Sequence, residues 1–262
     1  MSKIYQTTSL FNLSTDILAL DFDGVLVDSI AECLIVGYNA YRNAIGRPQG
    51  ISDLGQLPVA VQQESRRLRN FIRHGEDYVY IFQIIAEKYP TIDQADFDRF
   101  IEKNIHYQRE FRSHFYRERS RFLHEEPTRW LSLNPFYEGM SDFMKKFQPA
   151  KRLYIITTKK LEYVKVVLTH AGINLPEENL FATDSGRGKP EIIADLLDKT
   201  KLPPNNFFFI DDQVDTLLKL QKLNIRLFLA SWGYTNKQQI NQVKKSAILV
   251  ITLTEFFQMF NH

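Results

Sequence analysis

The sequence predicts an α/β protein: a three-layer core built on a parallel sheet with helices on both faces, interrupted by an inserted all-α domain. Three observations carry this. Short, continuous apolar runs, the form of strands buried on both faces, alternate with helical periodicity in the second half of the chain. A run of the same kind, residues 17–20, stands alone near the start. Between that run and the next, at 153–156, every periodic segment is helical, and the gap is far too long for a simple crossover.

Each element has a local reason. Residues 17–20 are uniformly apolar and run into Asp21, as a buried strand ending in a carboxylate does. Ile30, Cys33, Leu34, Gly37, Tyr38, Tyr41 and Ile45 then recur at steps of three and four, with Asp28 or Ser29 as N-cap and Gly46, Pro48 and Gly50 as breakers. Tyr78, Ile81, Phe82, Ile85 and Tyr89 form one helical face, stopped by Pro90. Thr91 or Asp93 caps a helix whose apolar face is Phe97, Phe100, Ile101 and Ile105. Tyr107, Phe111 and Phe115 repeat every four residues, and Pro127 is expected to end this stretch. After Pro135 the expected order is strand 153–156 into Thr157, helix 161–170, strand 179–183 and helix 190–197 with Pro190 in its first turn. Strand 207–210 into Asp211-Asp212, a helix through Leu223, strands 225–230 and 247–251 and helix 254–260 follow. The division expected is an α/β core over 1–32 and 131–262 and a helical domain over 33–130.

Composition fits two modest cores. The chain has 262 residues, 44% hydrophobic and 24% charged, which excludes a disordered or collagen-like chain. A net charge of +2 calls for no nucleic-acid partner, and no apolar run approaches the ~18 residues of a membrane span. Residues 1–15 lack a secretory h-region. The single cysteine, Cys33, fits a reducing compartment, so the expected location is cytoplasmic, and its place on an apolar helix face points to core packing. The 13% of aromatic residues fall at helical spacing in the insert and in strands, again as core. Across 61–129, 13 Lys or Arg stand against 12 Asp or Glu, the balance of a solvated, salt-bridged surface. His106 and His114 lack metal-ligand spacing.

In an open parallel sheet, ligands gather beyond the carboxyl ends of the strands. Those ends carry Asp21 with Asp23 and the turn residue Gly24, then Thr157 and Thr158, then Lys189, then Asp211 and Asp212 with Asp215 a turn later. Such a set suits phosphoryl transfer through an aspartyl phosphate: one carboxylate attacks phosphorus, and a second protonates the leaving oxygen and later activates water. Oxygen ligands are those Mg²⁺ prefers, while a lysine and a hydroxyl neutralise the equatorial phosphoryl oxygens.

The run Asp21-Phe22-Asp23-Gly24-Val25-Leu26-Val27-Asp28-Ser29 resembles the first signature of the haloacid dehalogenase superfamily. The apolar strand into Thr157, the pair Lys189-Pro190 and the pair Asp211-Asp212 resemble its other three, in order. Pro135-Phe136-Tyr137-Glu138-Gly139 and Ser231-Trp232-Gly233-Tyr234 are similar to segments of its phosphoglycolate-phosphatase-like branch. The resemblance implies a Rossmann-like core with a helical cap that closes over the substrate. It implies Asp21 as nucleophile, Asp23 as general acid/base with its carbonyl on the metal, and Lys189 as the lysine that neutralises phosphate and orients the nucleophile. Thr157, Thr158, Lys189 and Gly24 would bind phosphate; Asp21, Asp23, Asp211 and Asp212 would hold Mg²⁺, with Asp212 the first choice of the acidic pair for direct contact. Two positions depart from the commoner pattern: Thr158-Lys159 follows Thr157, adding charge there, and Asp211 stands where many relatives have Gly.

The activity expected is Mg²⁺-dependent hydrolysis of a small phosphorylated metabolite, phosphoglycolate or a sugar phosphate, by a monomer or homodimer. A phosphomutase would use the same core, and a non-catalytic binding or regulatory protein on this scaffold is the rival outside catalysis. Halide removal is disfavoured, because family dehalogenases lack the second carboxylate and the metal.

Overall fold

The computed structural model describes residues 11–12, 14–147, 152–183 and 186–260; residues 1–10 of the N-terminal stretch read above lie outside these. The chain divides into two compact units, one formed by 1–26 with 137–262 and the other by 27–136. The expected boundaries at 32/33 and 130/131 cut through helices α1 (Ile30–Ala44) and α6 (Pro127–Ser132); both helices lie whole in the second unit.

The first unit is a six-stranded, wholly parallel sheet in the order β3-β2-β1-β4-β5-β6. Its strands are β1 (Ile17–Leu20), β2 (Leu153–Thr157), β3 (Leu180–Ala182), β4 (Phe207–Asp211), β5 (Arg226–Ala230) and β6 (Leu249–Ile251). β1 is central, with Leu18 opposite Leu153 on one side and Phe208 on the other. All four of its side chains are buried, as is every residue of β4, which is why both read as unbroken apolar runs.

The two-residue period of a strand sends alternate side chains to opposite faces. Ile17, Ala19, Phe207, Phe209, Leu227 and Leu229 enter one core with residues of α9 (Lys189–Thr200), α10 (Val214–Leu220) and α11 (Lys237–Val243). Phe208 instead stacks on Phe228, centroids 5.7 Å apart, and meets Phe11 edge-on. That aromatic layer continues through Phe260 and Phe143 into α12 (Leu253–Gln258) and α7 (Met140–Phe147). Each such ring pair adds about 0.5–1.5 kcal/mol beyond its burial. α8 (Leu161–His170) follows β2 with its expected limits. Helices on both faces of the sheet make the three layers of a Rossmann-like core.

The second unit is helical, with α1, α2 (Val59–Leu68), α3 (Asp77–Glu87), α4 (Gln94–Lys103), α5 (Gln108–Glu125) and α6. Many of its aromatic residues are core: Phe97, Phe100, Phe115 and Trp130 are all but inaccessible, whereas Tyr107, expected on the same face as Phe111 and Phe115, is exposed. Asp28 Oδ1 accepts the Ile30 N–H at the head of α1, and Asp93 caps α4 through the Asp96 N–H. Two expectations are corrected. Pro127 opens α6 instead of closing the helical stretch, since proline in the first turn has no N–H to waste. Ile45 and Ile105 lie just past helix ends and are exposed. Two arginines of the 61–129 stretch are buried, Arg119 in bidentate contact with Glu32 and Arg69 over the Tyr78 ring. No helix among the described residues is long and apolar enough to cross a membrane.

Candidate active site

Three adjacent strands end together in the first unit. β1 delivers Asp21, whose N–H still bonds Ile210 O and extends the ladder by one step. β4 delivers Asp211 as its last residue, and Asp212 follows. β2 ends on Thr157. Asp21, Asp211 and Asp212 each offer a carboxylate oxygen within 4.8 Å of the others, and all three are buried.

Lys189, the first residue of α9, is only 4% exposed and reaches into this cluster. Its Nζ donates to Asp211 Oδ2 at 2.7 Å and stands 3.0 Å from Asp21 Oδ1. Burial alone would strip its proton, but the Asp21 and Asp211 carboxylates outweigh that and hold the ammonium above the ordinary lysine range. Burial pushes the Asp21 carboxyl the other way, up to about 7; Asp211 and Asp212 add to the rise and Lys189 opposes it.

The acidic pair is held differently at its two positions. Asp211 Oδ1 accepts the Gln213 N–H at 2.8 Å, so with Lys189 on Oδ2 both its oxygens take N–H donors. Asp212 Oδ2 accepts the Tyr234 N–H at 2.7 Å. Gly24 and Gly233 press against the same carboxylate. A Cβ on Gly24, whose φ is +87°, would fall 2.2 Å from Asp212 Oδ2; one on Gly233 would fall 2.3 Å from Gly24 O. Only glycine fits this seam, and the Trp232 indole ties it down by donating to Val25 O at 3.1 Å.

Asp23 does not join the three clustered carboxylates through its side chain. Its Oδ1 accepts from Lys159 Nζ at 2.9 Å. Thr157 is buried at the strand end and its Oγ1 accepts the Lys159 N–H at 3.1 Å, while Thr158 is half-buried. The sequence marked Lys159 only as extra charge; the turn that follows Thr157 makes it a partner of Asp23. Nothing in the spacing distinguishes it from Lys160 next to it, whose side chain is 47% exposed.

Oxygen-only donors, a buried Asp21 Oδ1 with no aligned hydrogen-bond donor, and a preset Asp212 together suit a small hard cation. Carboxylates and a buried lysine gathered at the carboxyl end of a parallel sheet are groups able to handle a phosphoryl group. The family model for haloacid dehalogenase-like hydrolases matches residues 15–224, and the chain belongs to that family. Solved structures share its fold at low identity. A haloacid dehalogenase-like hydrolase from Streptococcus pneumoniae has a TM-score of 0.58 at 14% identity, over 95% of this chain and 100% of its own. A predicted phosphoglycolate phosphatase from Haemophilus somnus has 0.61 at 16%, over 95% and 99%. A predicted phosphatase from Clostridium acetobutylicum has 0.55 at 13%, over 94% and 99%. No curated protein matches the chain in sequence.

Proposed function

We propose that the protein is a Mg²⁺-dependent phosphatase of a small phosphorylated metabolite, phosphoglycolate or a sugar phosphate, acting through an aspartyl phosphate on Asp21. The observation that carries this is the buried convergence of Asp21, Lys189, Asp211 and Asp212 at the strand ends. The names of its structural neighbours, predicted phosphatases among them, are in keeping with it.

An Asp21 oxygen attacks phosphorus in line, forming the Asp21 O–P bond as the ester oxygen leaves with a proton from Asp23. Water then attacks phosphorus, gives its proton to Asp23 and releases Asp21 as the carboxylate. Lys189 favours the ionised form of Asp21, orients it and neutralises the phosphoryl oxygens, helped by Thr157, Thr158 and the Gly24 turn. Asp21, the Asp23 carbonyl and Asp212 would hold Mg²⁺, with Asp211 behind them, since both of its oxygens already take N–H donors. The bound ion would supply charge neutralisation at the phosphate and at the crowded carboxylates. The helical unit, 27–136, stands in the sequence where the resemblance puts a substrate-selecting cap. A single, buried thiol accords with a cytoplasmic enzyme.

A panel of phosphate monoesters with Mg²⁺, repeated with EDTA, tests the proposal. Hydrolysis should be lost with EDTA, and Asp21→Asn should lower turnover by about 10³-fold or more with an unchanged circular-dichroism spectrum. Undiminished turnover by Asp21→Asn would end the mechanism.

A further inference from the structure

We infer that Lys159 is a positioning residue for Asp23, holding its carboxyl group where it can protonate the leaving oxygen; this rests on the phosphatase reading above. Lysine on a loop ordinarily leads its ammonium out to water along its apolar stem. Lys159 does the reverse: its side chain is wholly buried, and its Nζ meets Asp23 Oδ1 at 2.9 Å. Burying an ammonium is costly unless a partner charge compensates for it. The aim is set by the backbone, because the Lys159 N–H is fixed on Thr157 Oγ1 at the end of β2. The Phe22 ring, 5.7 Å from Nζ, walls the ammonium on another side.

The two buried lysines of the site thus meet different carboxylates. Lys189 serves Asp21 and Asp211, and Lys159 serves Asp23, whose side chain is still 19% exposed. Proton transfer needs the acid within hydrogen-bond reach of the departing oxygen, and a free Asp side chain spreads over several rotamers. A rigid cation on Oδ1 selects one of them. The proton lost by Asp23 as the P–O ester bond breaks leaves a carboxylate beside Lys159, and the water of the second step returns that proton.

The test compares kcat/KM for 4-nitrophenyl phosphate, whose leaving group departs without a proton, and for the best alkyl phosphate of the panel. It uses the full-length wild type, Lys159→Met, Lys159→Arg, Asp23→Asn and the double variant Asp23→Asn/Lys159→Met at saturating Mg²⁺. Lys159→Met should lose about tenfold or more on the alkyl ester beyond its loss on the aryl ester, mainly in kcat. Lys159→Arg should restore most of that difference, and Lys159→Met should add nothing in the Asp23→Asn background. Equal losses on both esters, or a raised KM with weaker inhibition by inorganic phosphate, would overturn the inference and leave the phosphatase reading intact. If Lys159→Met fails to fold, the Arg variant decides: it must keep the alkyl-to-aryl ratio of the wild type. A wild type inactive on both esters removes the phosphatase reading and this inference with it.

Discussion

Asp212 is held by contacts that no list of acidic residues would reveal. The Tyr234 N–H takes Oδ2, and Gly24 and Gly233 close around the carboxylate at distances that exclude any side chain. Gly233→Ala would put a methyl group 2.5 Å from Asp212 Cβ and 2.3 Å from Gly24 O. One of them has to move. With Asp212 holding Mg²⁺ as proposed, a displacement of that size costs about 10²-fold in rate, so Gly233→Ala should lose activity to that degree and need more Mg²⁺ for half-saturation. A Mg²⁺ titration of initial rates measures both effects. The carboxylates and Lys189 were legible in the sequence because each follows an apolar run or opens a helix. The roles of Lys159 and Gly233 were not, although one reads as added charge and the other lies in a family-like segment, because they depend on distances between segments far apart in the chain.

At the scale of elements, the helical unit is tied together by a polar knot at its centre. Glu32 on α1 is fully buried and receives the Arg119 guanidinium from α5 and the Trp130 indole N–H from α6. Cys33 lies against the same guanidinium at 3.0 Å, and the Arg119 head group stacks 4.5 Å from the Phe115 ring. A buried ion pair adds little net stability, yet removing one partner strands the other charge at a cost of about 3–5 kcal/mol. Arg119→Met should therefore lower the unfolding free energy of the helical unit by that amount and its urea midpoint in proportion. Adding Glu32→Gln should recover part of the loss, which urea unfolding followed by Trp130 fluorescence in a Trp232→Phe background reports. Periodicity found these helices through their aromatic faces, but it gave no reason to pair Glu32 with Arg119. Helical spacing assigns a face, and only the packing of α1, α5 and α6 decides which charged residues that face swallows.

For the molecule as a whole, the acidic centre should link stability to pH and, through the proposed Mg²⁺ site, to metal. Burial, aided by Asp211 and Asp212, raises Asp21 in the folded chain from 3.8 to about 7. A carboxyl raised on folding contributes stability that is complete below its unfolded value and is lost as pH rises through the folded one. The metal-free wild type should therefore lose melting temperature between pH 4 and pH 8 relative to Asp21→Asn. Mg²⁺, which needs the carboxylate, should raise the melting temperature of the wild type more at pH 8 than at pH 5. Thermal scans of both proteins, with Mg²⁺ and with EDTA, measure this; equal slopes for the two would remove Asp21 as the source. The topology has a consequence for synthesis as well. β1 is the centre of the sheet, and both of its neighbours lie beyond the helical insert. During translation the Ile-Leu-Ala-Leu segment leaves the ribosome before either partner has been made, whereas the residues of the helical unit are complete by 136. The first core strand to emerge must therefore wait, unpaired and wholly apolar, for β2 on one side and then β4 on the other.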